Sequence, residues 1–233
     1  MGQAILFGVI ASSALLIGGA IGAWQPPPRR VTAMLLAFAS GALITALAFE
    51  LFQEAVDHGG AVRAGVALLA GATVFIAVDI WLDRRLGSRD AGAAVGFALL
   101  ASVTLDGVPE NLALGVALID SASPALLVAI FASNLPEAIV GAKKMRASGL
   151  TPRRILEIWA GTGVLLAVAC VAGYAGLGGL SDEALAWPLG FAGGAVLASL
   201  ATTLMPEAFK DGGPSIAFAT TLGFLLSFLI SAA

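Results

Sequence analysis

Charge is scarce in this chain, and so are the residues that build most enzyme centres. Asp, Glu, Lys and Arg make up 12% of its 233 residues, about half the share of an ordinary soluble domain. Cysteine and histidine occur once each. The lone Cys170 excludes an intrachain disulfide and reads as a buried structural thiol within an apolar stretch. An intramembrane protease built on Asp79 and Asp106 would lack its expected signatures, because G-x-G-D, H-E-x-x-H and a Ser-His dyad are all missing. The chain is therefore not expected to be an enzyme.

What replaces charge is apolar surface. The sequence is 59% hydrophobic with a mean hydropathy of +0.97, more than a soluble domain can keep from water. Apolar runs of about 20 residues, the length that crosses about 30 Å of hydrocarbon as a helix, recur from end to end. Eight are expected, at 3–24, 31–55, 62–83, 91–118, 124–145, 153–176, 185–208 and 214–231. The expectation is an all-α integral membrane protein with a single transmembrane domain over 1–233, since the connections are too short for a second domain. The N-terminus has no charged start or cleavage site of a signal peptide, so the first span is expected to remain in the protein. Pairs such as Gly18/Gly22, Gly92/Gly96 and Gly190/Gly194 suit close helix packing in lipid.

Basic residues fall into alternate connections. Arg29 and Arg30, then Arg84, Arg85 and Arg89, then Lys143, Lys144, Arg146, Arg153 and Arg154, and finally Lys210 follow spans one, three, five and seven. The other connections hold only Arg63, together with Asp120, Asp182 and Glu183. This asymmetry predicts a multi-pass protein of a cell membrane, plasma or bacterial inner, with both termini outside the cytoplasm. Membrane orientation explains the basic loops, and no nucleic-acid partner is expected.

Residues 41–60 and 194–213 align without a gap and match at nine of twenty positions, including Gly41/Gly194, Leu51/Leu204, Glu54/Glu207 and Gly60/Gly213. Each copy is read as the end of one span, an acidic turn and the start of the next. The copies fall in spans of opposite direction, so the repeat is inverted. With Pro109-Glu110 in span four echoed by Pro136-Glu137 in span five, the expected organisation is eight transmembrane helices in a 3+2+3 inverted-repeat bundle. Such symmetry commonly underlies alternating access to a central site.

The two Pro-Glu pairs are also where chemistry is expected. Asp106 and Glu110 are four apart on one helix face, and Pro109 removes the amide that would bond the Leu105 carbonyl. Ser133, Asn134 and Glu137 make a similar face, with Pro136 freeing the carbonyl of Ala132. No Lys or Arg is expected near these groups inside spans four and five. Three carboxylates at membrane depth need neutralising by protons or a cation, and a divalent metal ion meets that need best. Two symmetry-related copies weigh against the plainer reading of a kink with a protonated acid.

These motifs, D-G-V-P-E-N at 106–111 and S-N-L-P-E-A at 133–138, resemble those of the ZIP family of divalent metal transporters, typically H-N-x-P-E-G and [HQ]-[ND]-x-P-E-G. The resemblance covers essentially the whole chain and includes L-M-P-E-A at 204–208. It implies metal ligands at Asp106, Glu110, Asn134 and Glu137, with Ser133 at a family His or Gln position. Asn111 stands at a motif glycine and adds an amide oxygen to the candidate metal set. Asp106 replaces a usual His, Gly107 a usual Asn, and Ala138 the second motif glycine. No Glu occurs in the stretch 161–165, where many relatives have one, and the octet DRRLGSRD at 83–90 stands in place of their long His-rich loop.

What the resemblance implies is a transporter domain that moves a divalent cation of the Zn, Fe or Mn class into the cytoplasm, as a homodimer with the transported metal and the lipid bilayer as its partners. No prosthetic group is expected. Family likeness points to zinc, whereas an oxygen-only ligand set favours Mn²⁺, Fe²⁺ or Mg²⁺. The alternatives are a proton-coupled carrier of another solute and a transport-inactive ZIP-like membrane protein.

Glu50 and Glu54, four apart near the outer end of span two, are entrance candidates, and Glu207 is the corresponding exit candidate. A solvated helix end competes with each role. Asp79 and Asp83 are expected at the inner interface near Arg84 and Arg85, and His58 in an external turn, as a loop residue rather than a ligand.

Overall fold

The computed structural model describes residues 1–86, 93–120 and 124–232, and every regular element among them is helical. The elements are α1 (Gly2–Trp24), α2 (Arg29–Ala46), a π-helical segment (Leu47–Phe52), α3 (Gln53–Leu86), α4 (Ala93–Asp120), α5 (Pro124–Ala147), α6 (Pro152–Leu177), α7 (Asp182–Ser199), a second π-helical segment (Leu200–Leu204), α8 (Met205–Gly212), a 3₁₀ turn (Gly213–Ser215) and α9 (Ile216–Ser231). The loop at 87–92 and the side chains of Asp83 and Asp120, for which the sequence carried expectations, lie outside the described residues.

Local chemistry sets several of the boundaries. Pro26, Pro27 and Pro28 have no amides to extend α1, and α2 starts at once behind Pro28. The α6 start is capped by Thr151, whose hydroxyl accepts from the Arg154 amide at 3.3 Å, with Pro152 in the first turn. The chain reverses at glycines with left-handed backbone, Gly60 (φ 78) within α3 and Gly213 (φ 59) after α8. A side chain at either would be strained.

Five helical stretches among the described residues are long and apolar enough to cross a membrane: Gly2–Trp24, Arg29–Leu82, Pro124–Ala147, Pro152–Leu177 and Asp182–Ser231. The second and fifth contain the reversals at Gly60 and Gly213. Large apolar side chains also face outward, including Val62 at 84% and Phe218 at 77% exposure, as a surface solvated by lipid tails requires. The protein thus has the helices and the exterior of a membrane-embedded bundle.

Regular features recur at the spacing of the sequence repeat. The π segments begin at Leu47 and Leu200, and of the three positive-φ glycines Gly60, Gly149 and Gly213, the first and last keep the same spacing. Gly41 lies against the backbone of α9 at Thr220, and Gly194 against the backbone of α3 at Leu68. Both approaches leave no room for a Cβ. Leu51 and Leu68 meet at Gly193, so the two arms of the hairpin around Gly60 lie side by side. In one respect the reading of the repeat is corrected. The acidic residues Asp57 and Asp211, expected in a turn, are helical like Glu54 and Glu207 at the span ends before them, because the turn falls at the glycine that follows.

Ion pairs and hydrogen bonds fix which ends meet. Arg63 Nη2 is 3.0 Å from Glu183 Oε2, and Ser231 Oγ donates to Glu50 Oε1 at 2.5 Å. At the opposite end Lys144 Nζ is 2.7 Å from Glu207 Oε1, and Arg29, Lys143 and Lys210 border a common vestibule. So α2 starts at the end where α8 finishes. The main apolar core runs through Leu36, Leu43, Leu114, Ile130, Leu189 and Val196, and a second packs Leu15, Met145 and Leu166 around Trp159.

The close approach at Gly194 gives a test of this packing. Gly194→Ala should cost about 1–3 kcal/mol, as overpacking does, and lower the melting temperature of the detergent-purified protein. Gly65→Ala, with nothing within 4 Å of its added Cβ, should not. Equal melting temperatures for the two would contradict the α3–α7 contact.

Candidate functional site

The two proline-containing motifs lie within unbroken helices, Pro109 inside α4 and Pro136 inside α5. Each helix therefore passes through a proline and leaves one carbonyl, at Leu105 or Ala132, without its intrahelical donor. Asp106, Glu110 and Asn111 are buried on α4, as are Ser133 and Asn134 on α5, while Glu137 is half-buried.

The carboxylates of Asp106, Glu110 and Glu137 stand within electrostatic range of one another, and Glu207 and Asp79 extend the group at its edges. Asp106, Glu137 and Glu207 line a cavity of about 80 Å³ with Val103, Thr203 and Lys144, room for roughly two or three waters at about 30 Å³ each. Glu110, Asn111, Ser133 and Asn134 do not line it. Among the described residues no group of three or more His, Cys, Asp or Glu side chains is drawn close enough to hold a metal ion.

Several donors already have partners. The Asn111 amide donates to the Gly107 carbonyl at 2.9 Å, Ser133 Oγ to the Ile130 carbonyl at 3.0 Å, and the Asn134 amide reaches the Ala11 carbonyl of α1 at 3.5 Å. Others do not. Asp106 Oδ1, Asn111 Oδ1 and Ser199 Oγ are buried without a hydrogen-bond partner. Ser199 sits beside Asp106, yet neither of those two oxygens completes a bond of regular geometry. Buried polar atoms left unpaired are uncommon and costly; Asp106 Oδ1 and Ser199 Oγ stand side by side, and Ser12 Oγ, Trp159 Nε1 and Ser227 Oγ are unpaired as well.

Four placements depart from the sequence reading. Lys144, counted with the loop, lies in the last turn of α5 and faces the cavity, so a cation does stand near the carboxylates. Asp79, expected at the interface, bears on Asp106. His58 is helical, 4.0 Å from Glu54, rather than in a turn. Ser199 carries no signal in the sequence repeat, where its partner is Ala46. Glu50 and Glu54 lie at the end of the bundle away from Glu207, and Glu54 is exposed. Neither a scan of protein-family models nor a search of curated proteins returns a match for this chain.

Proposed function

We propose that this protein is a divalent-cation transporter of ZIP-like design, which takes metal ions from the Glu50/Glu54 end to the Lys144/Glu207 end and so into the cytoplasm. The observation that carries the reading is the convergence of the Asp106, Glu110 and Glu137 carboxylates, which bear on one another with the Ser199 hydroxyl beside Asp106, next to a small cavity that Asp106 and Glu137 line. Carboxylate and hydroxyl oxygens are ligands for hard or borderline cations. The cation supplies the charge that brings such carboxylates together.

The same reading takes the chain as eight spans in a 3+2+3 inverted bundle with both termini outside. Its support is the matched pairing of halves. α1 packs along α5 through Gly18 and Gly22, and α6 along α4 through Gly173, while α2 pairs with α9 as α7 does with α3. Exchange of the two halves interconverts these pairs, which is the geometry alternating access needs. A cysteine at Ser148 in a Cys170→Ser background should resist an impermeant thiol reagent in intact cells while one at Asp182 reacts. The reverse pattern would invert the orientation.

Uptake by proteoliposomes offered Zn²⁺, Fe²⁺, Mn²⁺ and Mg²⁺ in turn tests the function. Saturable import of at least one is expected. Protein that imports none and binds none would leave the transport-inactive reading or the proton-coupled carrier of another solute.

A further inference from the structure

Beyond the inner cavity lies a vestibule of about 280 Å³, bordered by Arg29, Lys143, Lys210 and Asp211. Lys144 and Glu207 line both spaces, and their ion pair of 2.7 Å stands between them. The two side chains come from different elements, α5 and α8. α8 is eight residues long and hangs between a π-helical segment and the left-handed Gly213. Both flanks are departures from regular helix, the usual places for a short segment to shift against a neighbour.

We propose that the Lys144 ammonium is a tethered cation that holds Glu207 across the inner exit, and that the transported divalent ion must displace it to leave. The inference rests on the transport reading above. Glu207 also bears electrostatically on Glu137, so it is the next carboxylate on the path towards the vestibule. A divalent ion competes for that carboxylate with twice the charge of the ammonium, and the displaced ammonium moves towards Asp211 and water. The pair is 45% and 32% exposed at its two side chains. Pairs so placed are weak, as a contact broken in every transport cycle has to be. Orientation in the membrane accounts for Arg29, Lys143 and Lys210, which line the vestibule alone. It does not account for the position of Lys144, which also faces the inner cavity.

The test reads access to the inner cavity without requiring metal movement. Val103 lines that cavity but not the vestibule and is 7% exposed. In nanodiscs, with Cys170→Ser and Val103→Cys, the rate of reaction with a small uncharged methanethiosulfonate is measured. Lys144→Met and Glu207→Gln should each speed labelling about fivefold, the population change expected when a weak pair is removed. Lys144→Arg should stay near the parent and Lys143→Met should change nothing. Should Lys144→Met fold poorly, Glu207→Gln carries the same arm. An unchanged rate in the pair-breaking variants, or equal acceleration by Lys143→Met, overturns the gate. Gated labelling in a protein that imports no metal would sink the transport reading instead, and ungated labelling in a working transporter would sink the gate alone.

Discussion

Replacing Glu137 by alanine is expected to remove saturable divalent-cation uptake while leaving protein abundance largely intact. The fall should be about 100-fold or more, past the roughly 10–100-fold that changes in the outer shell of a metal site cost. Glu137 is the group on which Asp106, Glu110 and Glu207 all bear, and it lines the cavity from the helix opposite Asp106. On the proposed transport reading, its loss takes away the carboxylate between the buried pair on α4 and Glu207. Glu110→Ala should behave alike, through the repulsion it shares with both neighbours. Glu54→Ala should mainly weaken apparent affinity, because that residue is exposed and far along the path. Radiometal uptake over a concentration series separates these outcomes. Normal import by both Glu110→Ala and Glu137→Ala would remove the site.

The residues behind that prediction stand out in the sequence, whereas those behind others do not. Helices were legible because apolar runs broken by Pro, Gly and charge translate directly into segments of fixed length. α1 and α6 end within a residue or two of the expected limits. The reversals were legible too, since Gly60 and Gly213 fall at the ends of matched copies and only glycine sits easily at their backbone angles. The π segments were not. Nothing in a composition of Leu, Ala, Phe, Thr and the one Glu50 announces an extra residue in a turn, and such bulges arise from packing rather than propensity.

At the site, the residues that share a helix face could be read from spacing alone, as with Asp106 and Glu110. Contacts between distant segments could not. Ser199 reaches Asp106 across 93 positions of sequence, and no periodicity connects them. Lys144 was assigned to a loop because basic residues near span ends ordinarily serve orientation. Whether a long side chain at such an end turns outward or back into the bundle depends on what stands opposite it. Here that is Glu207, 63 positions away.

Selectivity should turn on Asp106, the carboxylate where the motif that residues 106–111 resemble usually has a histidine. Its side chain is buried, with Oδ1 unpaired and the Ser199 hydroxyl alongside. An aspartate there offers a hard, charged oxygen suited to Mn²⁺ or Mg²⁺, whereas a neutral imidazole nitrogen gains more with Zn²⁺. Asp106→His is therefore expected to raise the uptake ratio of zinc over manganese by about tenfold, equivalent to about 1.4 kcal/mol of differential binding. Ser199→Ala should lower uptake of both metals severalfold without moving their ratio much, since it removes one shared oxygen. Adding an amide donor beside Asp106 with Gly107→Asn meets a steric obstacle. A Cβ at Gly107 would stand 2.8 Å from Leu166 Cδ1 on α6, so the Leu166 side chain must shift, and Leu166→Ala would make room for the amide. Competition uptake with both metals present measures the ratio directly. If Asp106→His leaves it unchanged or moves it towards manganese, Asp106 does not touch the transported ion, and the unpaired oxygens beside it serve some other ligand.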